Sequence, residues 1–398
     1  MSDQTEPTIE PFGFLAPPTG PGIAPAPTPD ETWELNGGWA WVYYGDGNTS
    51  LTRPVLLSDG FETGPSSLDA LWEGLERKDF AFIGELRRQR RDLVLIGYED
   101  RSASLLRNAE VATHAVQRAV AERTGNAPLL VGGFSMGGLI TRYALAKLEH
   151  EGIDHQTEVY LSFDTPHRGA WVPIGLQALA HFLTATPALS RQINSPAARQ
   201  LLWRHIAAVE DTPSQDPLRT EFLAELERVG GWPMRPRKLG VANGRGDGTG
   251  NGVPAGEEAL KVTSGWFANT ALRTQSLGAA EQVAHLQGLF RKKTATTDGL
   301  PDLDGAPGGT LETFGIAGDK LKLTGRTEVA YRSVNFVPTI SALSLRDLDR
   351  REDLYADIDG IPPEESDFDD FKFSETNESH SHMSEELGRW ILDRLPHG

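Results

Sequence analysis

The feature that most constrains this chain is a serine flanked by glycines, Gly133-Phe134-Ser135-Met136-Gly137, set between a short apolar run and an amphipathic one. Residues 129–131 are Leu-Leu-Val. From Gly137 onward Ile140, Ala144 and Leu148 recur at four-residue spacing, one face of a helix. A chain that leaves a buried strand and enters a helix within so few residues holds the central residue in strained backbone, and bulk at Gly133 or Gly137 would collide. The helix N-terminus behind the turn favours developing negative charge. Ser135 is therefore the candidate nucleophile. The amide of Met136 is one candidate donor to an oxyanion.

The surrounding pattern predicts the fold class. Residues 39–44 are aromatic and apolar, a first strand. Pro-Val-Leu-Leu-Ser at 54–58 runs into Asp59-Gly60, Asp-Leu-Val-Leu-Ile-Gly at 92–97 is another apolar run, and 159–163 a further one. Between them, residues 103–123 place Leu105, Ala109, Ala112, Val116 and Ala119 on a helix face. Strands alternating with helices imply an α/β fold with a mostly parallel central sheet and helices on both faces. In such sheets the chemistry gathers at the carboxyl ends of the strands. The loop after residues 54–58 lies at such an end, and its Phe61 amide is the second candidate oxyanion donor.

Beyond residue 170 the alternation loosens. Residues 171–235, with Trp171, Phe182, Leu201, Trp203 and Phe222, read as a helical, lid-like insertion. Residues 239–242 read as a strand, about 243–325 as an irregular glycine-rich insertion, and 329–331 with 334–337 as the last strand. Residues 347–370 hold eleven acids against two arginines and read as a solvated loop. Leu387, Trp390, Ile391 and Leu395 mark a closing helix. Residues 11–30 carry seven Pro and three Gly in twenty positions, so residues 1–35 are expected as an extended or disordered lead-in to one domain over 36–398.

A serine nucleophile needs a base and an acid to orient it. With the chain order serine, acid, histidine, the base belongs in the loop before the closing helix, where Asn377-Glu378-Ser379-His380-Ser381-His382 offers two histidines. Three acids compete. Asp164 directly follows the strand at 159–163, Asp247 lies past the strand at 239–242, and Asp304 sits in Asp302-Leu303-Asp304-Gly305. His167 and Trp171, just beyond Asp164, are expected to line the substrate side, with packing beneath the site as the other role open to His167.

Composition narrows the chemistry further. The chain has 398 residues, no cysteine and a formal net charge of −18. Thiolate metal sites, iron–sulfur clusters, disulfides and cysteine nucleophiles are excluded. So acidic a surface disfavours nucleic acid as a partner. The glycine run 244–252 lacks the Gly-Lys-Ser/Thr ending of a phosphate cradle, and the Asp-x-Asp-Gly strings lack the later Glu of a calcium loop, so neither a cofactor nor a metal is expected. No apolar run is long enough to span a membrane, and Met1-Ser2-Asp3-Gln4-Thr5-Glu6 has neither a basic nor an apolar leader segment, which together predict a cytoplasmic protein.

Several strings resemble a group of bacterial lipase-like and esterase-like α/β hydrolases: PVLLSDGF (54–61), GFSMGG (133–138), FDTPHRGAWVPIGLQ (163–177), VANG (241–244), GAPGG (305–309), FVPTISAL (336–343) and NESH (377–380). The similarity spans about residues 50–395. It implies the α/β-hydrolase fold, a strand-tip acid before Pro-His at Asp164, and a base at His380, seven residues before Leu387. Asp247 and His382 are the alternatives. Many lipases of this kind carry His-Gly where this chain has Asp59-Gly60. The implied activity is cleavage of a small-molecule or acyl ester through an acyl-enzyme. The alternatives are acyl transfer, cyclisation or peptide cleavage on the same triad, or a binding protein that keeps the fold alone. Nothing in the residues indicates an oligomeric state.

Overall fold

The computed structural model describes residues 6–16, 24–76 and 80–396. Its central element is an eight-stranded sheet. Seven of its strands, in chain order, are β1 (Glu31–Leu35), β2 (Gly38–Tyr43), β3 (Pro54–Ser58), β4 (Asp92–Tyr98), β5 (Leu129–Phe134), β6 (Thr157–Phe163) and β7 (Arg237–Ala242). The eighth, Asp370–Phe373, closes the edge, and the spatial order is β1-β2-β4-β3-β5-β6-β7-edge. β1, β2 and β4 pair antiparallel, and every pairing from β4 to the edge strand is parallel. β5 thus lies inside the parallel part, between β3 and β6.

The sheet is covered on both faces: its inner strands β3, β4 and β5 are buried at every position. Side chains alternate across a strand. Val55, Leu57, Leu93, Leu95 and Leu130 face one side, where they pack with Leu75, Phe82, Ile83, Leu86, Leu387 and Ile391. Leu56, Val94, Ile96, Leu129 and Val131 face the other and pack with Val111, Ala112, Leu139 and Ile140. The first layer holds helices α1 (Leu68–Leu75), α2 (Phe82–Arg88) and the closing helix Glu385–Arg394. The second holds α3 (Leu105–Glu122) and α4 (Met136–His150). The α/β class expected from the alternation is the observed one.

Three stretches differ from the sequence reading. Strand β1 begins at Glu31, inside the expected lead-in of residues 1–35, and Ile9, Phe12, Phe14 and Leu15 are buried. The proline count concealed this: each such side chain removed from water contributes about 1.5–3 kcal/mol, enough to hold a segment that has no helix or strand of its own. Residues 1–5 and 17–23 of that lead-in lie outside the described residues. Four strands of the expected irregular insertion, Glu258–Val262, Ala271–Arg273, Glu281–Gln287 and Lys292–Thr297, form a five-stranded antiparallel sheet with Thr327–Val329 just beyond it. Its strands are short, three to seven residues each, which masked their alternation. The expected last strand is divided: Thr327–Val329 joins this small sheet, while Val334–Pro338 pairs antiparallel with Gly308–Leu311. The edge of the main sheet is instead Asp370–Phe373, directly after the acidic stretch. Residues 171–235 are helical, with α5 (Ile174–Phe182), α6 (Pro187–Ile193), α7 (Pro196–Leu201) and α8 (Pro217–Arg228).

Candidate active site

Ser135 follows β5 and caps α4, with φ 52° and ψ −124°. That is left-handed backbone for a non-glycine residue, a state costing on the order of 1–3 kcal/mol that the surroundings must enforce. They do so through close backbone contacts. A Cβ on Gly133 would stand 2.4 Å from the Gly137 carbonyl carbon. One on Gly137 would stand 2.3 Å from the Ser58 oxygen and 2.6 Å from the Asp59 oxygen. The two glycines of the motif are therefore steric requirements of the turn. Ser135 is nearly buried, and its amide donates to the Phe163 oxygen (2.9 Å), which ties the β5 tip to the β6 tip.

Asp164 stands at the β6 tip in register with this turn, since Phe134 and Phe163 are paired across the two strands. It too has positive φ, 46°. Its fully buried carboxylate accepts from the Asn243 amide through Oδ1 (3.0 Å) and meets His380 Nδ1 through Oδ2 at 2.6 Å. The Ser381 amide lies 3.5 Å from Oδ2. His380 is 2% exposed, with the Phe336 ring edge-on at 4.8 Å. Its Nε2 faces the Ser381 hydroxyl at 3.3 Å. Among the described residues the Ser135 hydroxyl has no hydrogen-bond partner.

The histidine is held from a direction the sequence did not reveal. Its amide donates to the Thr310 oxygen (2.8 Å), and the Thr310 amide donates to the Glu378 oxygen (2.9 Å), so the loop is laced to the Gly308–Leu311 strand. Gly309 on that strand touches the acid: a Cβ there would stand 2.1 Å from Asp164 Oδ2. Asn243 holds the same loop from the β7 side, its Nδ2 donating to the His382 oxygen (2.8 Å) and to Glu378 (3.2 Å). Gly309, Thr310, Asn243 and Phe336 were missed as site residues. For Asn243, Gly309 and Phe336 the signal was present in the strings VANG, GAPGG and FVPTISAL, whose contacts no spacing rule supplies; Thr310 lies just past GAPGG.

The other candidate acids and the other histidine stand elsewhere. Asp247 is paired with Arg245 (Nε to Oδ1, 2.9 Å) near the surface, and that hydrogen bond holds its carboxyl well below the usual range. Asp304 is buried and accepts from Trp171 Nε1 (2.7 Å) and the Gln275 amide (2.6 Å); burial raises its carboxyl to about 6. His382 lies 3.5 Å from Glu378, and the carboxylate of Asp164 is engaged by His380 instead.

The two residues expected to line the substrate side are both buried. His167 bonds Ser162 Oγ through Nε2 (2.8 Å) and Arg142 through Nδ1 (3.1 Å), and packs on Trp232 and Phe368; burial first, then Arg142, hold it well below the usual histidine range. Trp171 is 1% exposed and turned toward Asp304. Both side chains are turned into the interior, where polar partners hold them.

Two amides are free to act as donors. Among the described residues neither the Met136 nor the Phe61 N–H donates to any group of the chain. Phe61 follows Gly60, whose position for a Cβ lies 3.5 Å from Ser135 Cβ. The loop is fixed by the buried Asp59, which accepts from the Gly60 amide (2.7 Å) and the Ser66 hydroxyl (2.6 Å), with Arg101 at 3.5 Å. Burial raises the Asp59 carboxyl above its ordinary value in spite of Arg101. Asp59 therefore holds the loop from within.

Among the described residues no group of three or more His, Cys, Asp or Glu could hold a metal, and no helix is long and apolar enough to cross a membrane. No protein-family model matches the chain, and no curated protein is similar to it in sequence. Solved structures are similar to parts of the chain. They include a Bacillus licheniformis lipase in propeptide form (12% identity, 54% of this chain and 40% of that one, TM-score 0.35). A putative esterase from Staphylococcus aureus (13%, 53% and 64%, 0.33) and an esterase from Pyrobaculum calidifontis (12%, 52% and 73%, 0.31) are also similar. The chain thus spans less than half the length of the first of these. The fold itself is a mostly parallel sheet with helices on both faces and a strained turn at the tip of an inner strand.

Proposed function

We propose that the protein is a serine hydrolase that opens a carboxylic ester through an acyl-enzyme, with Ser135 as nucleophile, His380 as base and Asp164 as the acid. The observation that carries this reading is the buried His380–Asp164 pair, 2.6 Å apart, held beside the strained Ser135 turn. With Nδ1–H donating to Asp164, His380 keeps Nε2 as the basic nitrogen. Ser135 Oγ attacks the substrate carbonyl while Nε2 takes its proton; Asp164 stabilises the imidazolium. The step requires the Ser135 hydroxyl to replace that of Ser381 at Nε2. The negative oxygen of the tetrahedral intermediate is received by the Met136 and Phe61 amides, which have no acceptor among the described residues. Imidazolium then protonates the leaving alcohol. Water enters, gives its proton to Nε2 and attacks the acyl carbon; the imidazolium then returns that proton to Ser135 Oγ as its bond to the acyl carbon breaks and the acid leaves. The substrate is a small-molecule ester; no step calls for a cofactor.

The test is labelling by a fluorophosphonate, read by intact mass, on the native chain beside Ser135→Ala and His380→Ala. One adduct on the native chain and none on Ser135→Ala, with at least a hundredfold slower labelling of His380→Ala, is expected. An unlabelled native chain overturns the reading.

A further inference from the structure

Asp304 is a buried carboxylate outside the triad. It is 1% exposed, in the short turn Leu303–Gly305, and among the described residues no cation pairs with it. Its Oδ1 accepts from Trp171 Nε1 (2.7 Å) and its Oδ2 from the Gln275 amide (2.6 Å). Asp302 stands beside it, but Asp302 is paired with Arg351 (2.9 Å), and the Tyr355 hydroxyl donates to the Asp302 backbone oxygen (2.9 Å). Burial raises the Asp304 carboxyl to about 6 in spite of its two donors, and Asp302 adds to the rise. Above that pH the group is ionised, buried and without a counter-ion, an arrangement that costs stability. What the charge contributes is two short hydrogen bonds to fixed donors.

The turn lies behind the two strands that touch the candidate triad. The chain runs from Asp304 into the strand Gly308–Leu311, which brings Gly309 against Asp164 Oδ2 and receives the His380 amide at the Thr310 oxygen. The antiparallel partner Val334–Pro338 is tied back to the turn, since Asn335 Nδ2 donates to the Leu303 oxygen (3.0 Å). That partner carries Phe336, whose ring meets His380 edge-on at 4.8 Å. Trp171 closes the circuit: its indole is on Asp304, and its amide donates to the Phe336 oxygen (2.7 Å). On the other side Asn251 Nδ2 donates to the Asp304 backbone oxygen (2.8 Å), and Gln275 ties the carboxylate to the chain just past the strand Ala271–Arg273.

We propose that Asp304 is a positioning residue for the hydrolysis, holding Gly309 against Asp164 and Phe336 against His380 through its bonds to Trp171 and Gln275. This rests on the hydrolase reading. A carboxylate accepts from both donors at once. An asparagine offers them one oxygen and turns its own NH₂ on the other, so Asp304→Asn gives up one anchor while keeping the shape. A displacement of about 1 Å at the reacting groups costs on the order of 10²-fold in rate, and a tenth of that is enough to measure.

The experiment sets the native chain beside Asp304→Asn, Trp171→Phe and the double variant at about pH 8. Each is measured for melting, for kcat and KM on p-nitrophenyl butyrate, for fluorophosphonate labelling, and for the far-downfield proton resonance of the His380 Nδ1–H bond to Asp164. Asp304→Asn is expected to lower kcat at least tenfold, to leave KM within threefold and to move the downfield resonance. It is expected to melt no lower than the native chain, because a buried charge has been removed. A merely structural role would lower melting and leave the resonance in place. The losses in Asp304→Asn and Trp171→Phe are expected not to add in the double variant, because both break the same bond. If Asp304→Asn does not fold, the kcat and resonance of Trp171→Phe decide. Native kcat with an unmoved resonance, or a loss of kcat matched by a loss of melting, overturns the positioning role alone. A native chain that neither labels nor turns over overturns the hydrolase reading instead.

Discussion

Substitution of Gly309 by alanine tests the proposed triad without replacing any of its members. Gly309 has no positive φ, so its backbone accepts alanine, and the whole effect is carried through space. The new Cβ would stand 2.1 Å from Asp164 Oδ2 and 3.0 Å from Cγ. Ordinary carbon–oxygen contact is about 3.4 Å, so the carboxylate must recede by roughly 1.3 Å. A retreat of that size along the Nδ1–Oδ2 line opens the 2.6 Å bond beyond hydrogen-bond reach. A misplacement of about 1 Å costs on the order of 10²-fold in rate, and complete loss of the acid's orienting role about 10⁴-fold. The expected loss in kcat is therefore 10² to 10⁴, or about 2.7–5.5 kcal/mol in the barrier. The assay is kcat on a p-nitrophenyl ester, with melting followed in parallel. Gly74→Ala is the control: a Cβ there meets nothing within 4 Å, and it lies inside α1, where alanine is about 1 kcal/mol the better helix former. If Gly309→Ala melts like the native chain and turns over at the native rate, Asp164 does not orient the base.

Asp304, whose carboxyl is raised to about 6 chiefly by burial, makes stability depend on pH. The folded state holds this proton more tightly than the unfolded one. The contribution of Asp304 to stability is therefore greatest below about pH 4, is lost as pH rises toward 6, and is flat above. The fall is about 3 kcal/mol, and urea unfolding at pH 4, 5, 6 and 7 is expected to show it in the native chain and not in Asp304→Asn. A fall equally steep in the variant assigns it to other groups. Asp247→Asn and His382→Ala are expected to keep kcat within threefold, since Asp247 is paired with Arg245 and Asp164 is engaged by His380. A loss of two orders of magnitude in either moves the triad.

The serine turn was legible in the sequence because its causes are local. A buried strand, two glycines with no room for Cβ and a helix lie within a few residues, and the strained φ of Ser135 follows from them. The parallel sheet was legible for the same kind of reason, since apolar runs alternating with helix faces admit few arrangements. The N-terminal segment and the small antiparallel sheet were not legible, because proline and glycine counts describe what a stretch does alone. Both are held by partners far away, as Ile9 is by Thr186. The choice between Asp164, Asp247 and Asp304 belongs to tertiary structure as well. All three are carboxylates in turns of similar composition, and only packing sets one against His380, one against Arg245 and one against Trp171. A hydrogen bond across 216 residues of chain leaves no periodicity to read. Spacing therefore named the residue types, and the close approach of Gly309, Asn243 and Thr310 decided which of them meet.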